Sequence, residues 1–221
     1  MNKRNSFYTM LAFRMFSAFS MLLIMGLSVL PRAVSGSLTF TPIDCPGADF
    51  TIALGINARG GVVGNCRTSN DQKYHGFLLS DGGFTMIDFP GAPETLANDI
   101  NDLGDICGSY YDVSWACHGY LCSASQNLHG FLLSGGSFSS IDFPGSPSTF
   151  LGGVNPAGQI VGSYQATDGH FHGLLVSQGA FTTIDFPGAT DTVVSKINPS
   201  GRMVGYYIDG TFHGFISGPE S

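Results

Sequence analysis

Beyond residue 36 the chain is a succession of short runs dominated by Val, Ile, Thr, Phe and Tyr, each cut off by a Gly-containing turn. That is the pattern of β-strands joined by tight connections. Thr192–Asn198, Arg202–Tyr207 and Thr211–Ile216 read as three successive strands, separated by Asn198-Pro199-Ser200-Gly201 and Asp209-Gly210. Phe181–Phe186, entered through Gln178-Gly179, shows a fourth kind of strand. No stretch of this region sustains a helical period.

The runs recur as a unit. Ile87-Asp88-Phe89-Pro90-Gly91 returns as Ile141–Gly145 and Ile184–Gly188, and a variant, Ile43-Asp44-Cys45-Pro46-Gly47, opens the series. Counted on Asp44, Asp88, Asp142 and Asp185, the spacings are 44, 54 and 43 residues. A second mark, His-Gly followed by Phe or Leu, stands at His75, His129, His172 and His213. A third, Asn with Gly three residues on, stands at Asn57, Asn101, Asn155 and Asn198. Marks that stay in step through four copies predict a repeat architecture, and four short strands per copy match a propeller blade. The ends add to this. The first copy opens at Leu38-Thr39-Phe40 without a preceding His-Gly-Phe strand, while the chain finishes on that strand without its continuation. The fold predicted is therefore all-β: a small β-propeller of four four-stranded blades over residues 36–221, closed by N- and C-terminal strands sharing one blade. An open array, or a dimer that completes a larger ring, is the alternative.

Residues 1–35 differ from the rest. Lys3, Arg4 and Arg14 precede an apolar run from Met15 to Leu30, and Ala33-Val34-Ser35 offers small residues for cleavage. This is the make-up of a secretory signal peptide, with an uncleaved anchor as the alternative. Its removal leaves five basic against 16 acidic residues, a net charge of −11. A surface so acidic repels phosphate backbones, so nucleic acid is not an expected partner. The expected location is secreted or cell-surface, and the mature chain is expected to carry no membrane span.

With these residues in view, the chain resembles the extracellular HAF-type repeat proteins of bacteria, named for a His-Ala-Phe motif. Gly replaces Ala in His75-Gly76-Phe77, His129-Gly130-Phe131 and His213-Gly214-Phe215, and Leu174 replaces Phe in the remaining copy. The resemblance implies export and a propeller-like fold. It implies no activity.

The candidate chemistry divides into what repeats and what does not. Asp44, Asp88, Asp142 and Asp185 with His75, His129, His172 and His213 look like acid–base pairs. One set per blade, however, points to architecture, since an active site needs a single constellation. His170 and His172 share one face of a strand, but the counterparts of His170 are Lys73, Asn127 and Thr211, so no metal site is expected there. The run Asn98-Asp99-Ile100-Asn101-Asp102 with Asp105 matches a calcium loop in composition only. No cofactor is expected.

The five cysteines, in an oxidising compartment, are candidates for pairing. Cys117 and Cys122 can staple the long connection that makes the second copy about ten residues longer than its neighbours. Cys45 and Cys66 stand where the other copies have Phe (Phe89, Phe143, Phe186) and Tyr (Tyr110, Tyr164, Tyr207), which suggests a disulfide in place of an aromatic contact. Cys107 takes the slot of Val63, Val161 and Val204 and reads as a buried free thiol. The connection from Asp112 to Leu128 holds the only tryptophan, Trp115, together with His118 and Tyr120. Those three are the candidate ligand-binding residues, because departures from a repeat mark what its architecture does not require.

The function expected is a non-enzymatic exported binding module whose partner is a glycan or a cell-surface protein. The alternatives are an exported glycan hydrolase or lyase using an axial pocket, and a purely structural surface repeat.

Overall fold

A computed structural model describes residues 38–112 and 127–218. The chain falls into two units, 1–40 and 41–221. In the first, the described residues 38–40 carry no regular structure. The second holds every strand described below.

The strands form four antiparallel meanders in chain order. The first sheet is β1 (Ala48–Ile56), β2 (Val62–Thr68), β3 (Tyr74–Ser80) and β4 (Gly83–Ile87). The second is β5 (Thr95–Ile100), β6 (Ile106–Tyr111), β7 (Leu128–Ser134) and β8 (Ser137–Ile141). The third is β9 (Ser148–Val154), β10 (Ile160–Gln165), β11 (Phe171–Ser177) and β12 (Ala180–Ile184). The last has three strands, β13 (Asp191–Ile197), β14 (Met203–Ile208) and β15 (Phe212–Ser217). No helix occurs among the described residues.

Local chemistry sets the turns. Asp81-Gly82, Gly135-Gly136 and Gln178-Gly179 all have positive φ, the mirror-image turn whose twist suits a two-residue hairpin. In the Pro-Gly turns, Ala48, Ala92, Ser146 and Ala189 donate their N–H to the carbonyls of Cys45, Phe89, Phe143 and Phe186 at 3.0–3.1 Å. A threonine fixes each of these turns to the strand that follows. Thr51, Thr95, Thr149 and Thr192 accept the N–H of Cys45, Phe89, Phe143 and Phe186 at 2.8–3.2 Å, and the last three threonines are fully buried.

Successive sheets pack face to face. Ala97, Leu151 and Val194, on the first strand of one sheet, press on Gly76, Gly130 and Gly173 of the sheet before it. A Cβ on those glycines would lie 3.0, 2.7 and 2.9 Å from the incoming side chains, so only glycine admits the neighbour. That is why His-Gly recurs. The asparagines complete the junction. Each Oδ1 takes up backbone N–H groups of its own turn, while Asn57, Asn101 and Asn155 donate Nδ2–H to the carbonyl of the next asparagine at 3.2, 3.1 and 3.3 Å.

The ring closure expected of the chain ends is not formed. Among the described residues β15 hydrogen-bonds to β14 alone, and residues 41–44, whose sequence counterparts run in β4, β8 and β12, carry no strand. The reason lies in the anchoring of the first turn. Cys45 N–H is held by Thr51, so the chain before it can reach β15 only if the last sheet packs against the first. The close packing that joins each sheet to the next has no counterpart between β13–β15 and β1–β4. The series does not come round on itself.

Candidate functional site

The repeated His and Asp residues lie on the flank of each sheet, not at one place. His75 Nδ1 meets Asp88 at 2.7 Å, His129 Nδ1 meets Asp142 at 3.1 Å, and His172 Nδ1 meets Asp185 at 3.0 Å. His213 turns instead to Asp209 and Thr211, at 3.1 and 2.7 Å. His129, His172 and His213 also cap an aromatic column. Phe89 stacks on Tyr110 at 3.6 Å and Tyr110 on His129 at 5.2 Å; Phe143–Tyr164–His172 and Phe186–Tyr207–His213 repeat the arrangement. The first three His–Asp pairs join the third strand of a sheet to the residue just after its fourth.

In the first copy the column is replaced by sulfur. Cys45 and Cys66 come together there, both buried in one cluster with Phe77. Both stand as free cysteines in this structure, brought together as their slots in the repeat predict. Burial, then the Cys45 thiol, pushes Cys66 up to about 12, which suppresses the thiolate that oxidation needs. Cys107 is a buried free thiol, raised by its desolvation. Trp115, Cys117, His118, Tyr120 and Cys122 lie outside the described residues.

The other motif residues disperse. His170 faces Asp191 at 3.4 Å while His172 faces Asp185. Asp102 accepts the N–H of Ala58, and Asp105 accepts from Asn101. Asn98 and Asp99 alone point to something that does not repeat.

The first strand of every sheet carries a β-bulge at the same place, leaving Leu54, Asn98, Gly152 and Ser195 as the extra residues. Opposite each bulge stands a glycine, Gly64, Gly108, Gly162 or Gly205, whose Cβ would collide with the carbonyl oxygen two residues before the bulge. A bulge bends its strand and re-aims the side chain it frees. All four extra residues line one pocket of about 630 Å³, together with Leu128, Ser148, Phe150, Ser163, Phe171, Val193, Lys196 and Tyr206. The sequence carries one signal for this, the dipeptide Val-Gly (Cys-Gly in the second copy) on the strand before each His-Gly mark.

Beside the bulges the residues read Gly55, Asp99, Gly153 and Lys196. Asp99 and Lys196 pair at 2.9 Å, and Lys196 Nζ also donates to the Asn98 carbonyl at 2.9 Å. Asp99 accepts Val154 N–H at 3.1 Å, and Asn98 Nδ2 donates to the Leu151 carbonyl at 2.8 Å. The two glycines make room for the two charges. A Cβ on Gly55 would lie 2.9 Å from Asp99 Oδ1, and one on Gly153 would lie 3.1 Å from the Lys196 Cα. This ion pair ties three sheets together beside an otherwise largely apolar pocket. Both oxygens of its carboxylate are engaged, so what the pocket presents beside the paired Lys196 is aromatic and aliphatic surface with a few hydroxyls.

No protein-family model and no curated protein matches the chain. Among solved structures, a fucose-specific lectin from Aleuria aurantia is 14% identical, with 76% of this chain and 57% of that chain covered and a TM-score of 0.43. An N224Q mutant of the same lectin in complex with alpha-methyl-L-fucoside is 14% identical, covering 76% and 56%, with a TM-score of 0.43. A further structure of that lectin, described as a six-bladed β-propeller, is 13% identical, covering 77% and 61%, with a TM-score of 0.40. The chain thus spans less than two thirds of the length of these structures.

Proposed function

We propose that the four sheets are blades of a β-propeller-like array, and that the chain is an exported, non-enzymatic binding module which takes a neutral glycan unit in the pocket where the four bulges converge. The observation that carries this is the convergence itself. The repeat spends one residue per sheet on one pocket, and those residues, Leu54, Asn98, Gly152 and Ser195, change in chemical character from copy to copy between an invariant Thr and an invariant Asn. Architecture is constant around them and surface chemistry is not.

The lining favours a sugar face over a charged or flat ligand. Phe150, Phe171 and Tyr206 offer aromatic surface against which the C–H face of a pyranose packs, and Ser148, Ser163 and Ser195 offer hydroxyls for its rim. Lys196 is already neutralised by Asp99, so the pocket holds no free charge to recruit an anion. The basic start and apolar run of residues 1–35 support export.

The test is a glycan-array screen of the purified chain, repeated with Phe150→Ala and Phe171→Ala. The expected result is one class of neutral glycan bound by the parent chain, weakened at least tenfold in both variants, with the glycan recovered intact. Recovery of cleaved glycan, or binding that both variants retain, overturns the reading.

A further inference from the structure

Three junctions join the four sheets, and the two outer faces of the series carry the parts of a fourth. On the leading face, Ala53 has its counterparts in Ala97, Leu151 and Val194, all fully buried, yet Ala53 is exposed. Ile56 is 71% exposed where Ile100 and Val154 are 6% and 4%. On the trailing face, Val204 is 43% exposed where Val63, Cys107 and Val161 are 0%. Gly214, counterpart of Gly76, Gly130 and Gly173, has no side chain pressed on it, and a Cβ there would meet only the Gly205 carbonyl at 3.8 Å. Among the described residues Asn198 donates its Nδ2 to no following asparagine, while Asn57, Asn101 and Asn155 each do.

Each of these is the open half of a contact the chain makes three times elsewhere. Ala53 is the knob and Gly214 the notch, Asn198 the donor and the Asn57 carbonyl the acceptor. One position differs: Tyr206 replaces the Asn65, Ser109 and Ser163 of the earlier sheets, and Ala53, equal in size to Ala97, is the knob that would face it. We propose that the leading face of one copy of this chain, on β1, packs on the trailing face of a second copy, on β13–β15, repeating head to tail the junction that joins successive sheets. The interface continues an internal one, so its chemistry is that of the three junctions within the chain. A heterologous contact of this kind closes a ring when its rotation permits. Two copies of four sheets supply eight, within the range of about four to eight blades in which propellers close.

This inference is independent of what the pocket binds. Its test is the mass of the purified chain in solution, by sedimentation velocity over a wide range of concentration. Two variants each spoil one face without touching the folded copy. Ala53→Arg puts a charge on an exposed residue, and Gly214→Val fills a notch that has free space around it. The expected result is a concentration-dependent mass of two copies, with each variant weakening association at least tenfold and an equimolar mixture of the two variants pairing through the one intact junction. Unchanged urea midpoints at low concentration would show that both variants fold. A single-copy mass at every concentration, as closure within one chain would give, overturns the proposal. So does a two-copy mass indifferent to both variants.

Discussion

The same asparagine, mutated in two copies of the repeat, is expected to cost very different amounts. Asn155 is 1% exposed and makes four hydrogen bonds: Oδ1 accepts from Ala157 and Gln159 N–H at 3.1 and 3.0 Å, and Nδ2 donates to Gln159 Oε1 at 2.8 Å and to the Asn198 carbonyl at 3.3 Å. Asn198 is exposed, and its Oδ1 accepts from Arg202 N–H and the Ser200 hydroxyl, both at 2.8 Å. A net hydrogen bond is worth about 1 kcal/mol, and a buried group left without a partner costs about 1–3. Ala157 is exposed, so water replaces its bond when Asn155 is truncated; the other losses are partly or wholly shielded. Asn155→Ala is therefore expected to destabilise by about 3 kcal/mol, and Asn198→Ala by under about 1. In a domain of this size the difference of about 2 kcal/mol amounts to roughly 4–8 °C in Tm. The assay is urea unfolding of each variant at a concentration where the chain sediments as one copy, with the denaturant slope unchanged. Equal losses would refute the reasoning, because they would mean that the link between sheets adds nothing to the turn's own hydrogen bonds.

Other expectations concern charge and sulfur. Lys196→Met, which strands Asp99 among three sheets, is expected to cost about 2 kcal/mol, and adding Asp99→Asn should return part of that loss; a strictly additive double-mutant cycle would contradict the ion pair's role. Native chain at pH 8 is expected to leave Cys45, Cys66 and Cys107 unlabelled by a thiol reagent that modifies all three in denaturant, as read by peptide mass mapping, and rapid native labelling of Cys66 would be inconsistent with its buried, protonated state. The Thr68 hydroxyl, the Lys73 N–H and His75 hold Asp71 at about 2, below its ordinary 3.8. Burial disfavours charged His75, but Asp88 and Asp71 outweigh it and raise the imidazole. A lowered carboxyl stabilises above its unfolded value and loses that contribution as pH falls through about 2, whereas a raised imidazole stabilises below its unfolded 6.5 and loses its contribution as pH rises through the folded value. The stability difference between the parent chain and Asp71→Asn should thus be largest between these limits and vanish toward pH 2, and a difference that is flat with pH would argue against the pair.

Much of the fold was legible because each repeat mark is a backbone requirement in disguise. Asn, Pro-Gly and His-Gly recur since a turn, a tight connection and a close sheet contact each admit few residues, so spacing alone gave the strands of the last copy to within a residue or two. The slot-by-slot substitution that placed Cys45 opposite Cys66 was sound for the same reason: Phe89 and Tyr110 do meet at that position. Ring closure was not legible. It depends on whether the last sheet packs against the first so that the anchored chain before Cys45 can reach β15, and no motif marks that packing. The pocket was missed for a related cause. A bulge is one residue added to one strand, visible only once register is known, and Leu54, Asn98, Gly152 and Ser195 share no chemistry by which a sequence could mark them.

A repeat built this way separates stability from specificity along a single strand. In the first strand of each sheet, Thr and Asn hold the turn before and the junction after, and both are invariant through the four copies. Between them lie two positions freed by the bulge, and there the copies read Leu-Gly, Asn-Asp, Gly-Gly and Ser-Lys. Their variation follows a rule. The two charges occupy the second position in alternate copies, and glycine takes it in the copies between, because four side chains of ordinary size would not fit where the strands converge. One pair of opposite charges, Asp99 and Lys196, can then meet at 2.9 Å across the third sheet. A chain of identical repeats could not make that contact, since every sheet would present the same charge to its neighbours. The departure from repetition is thus required at the centre on electrostatic and steric grounds, and the variable bulge residues beside it inherit a pocket whose floor is already neutral.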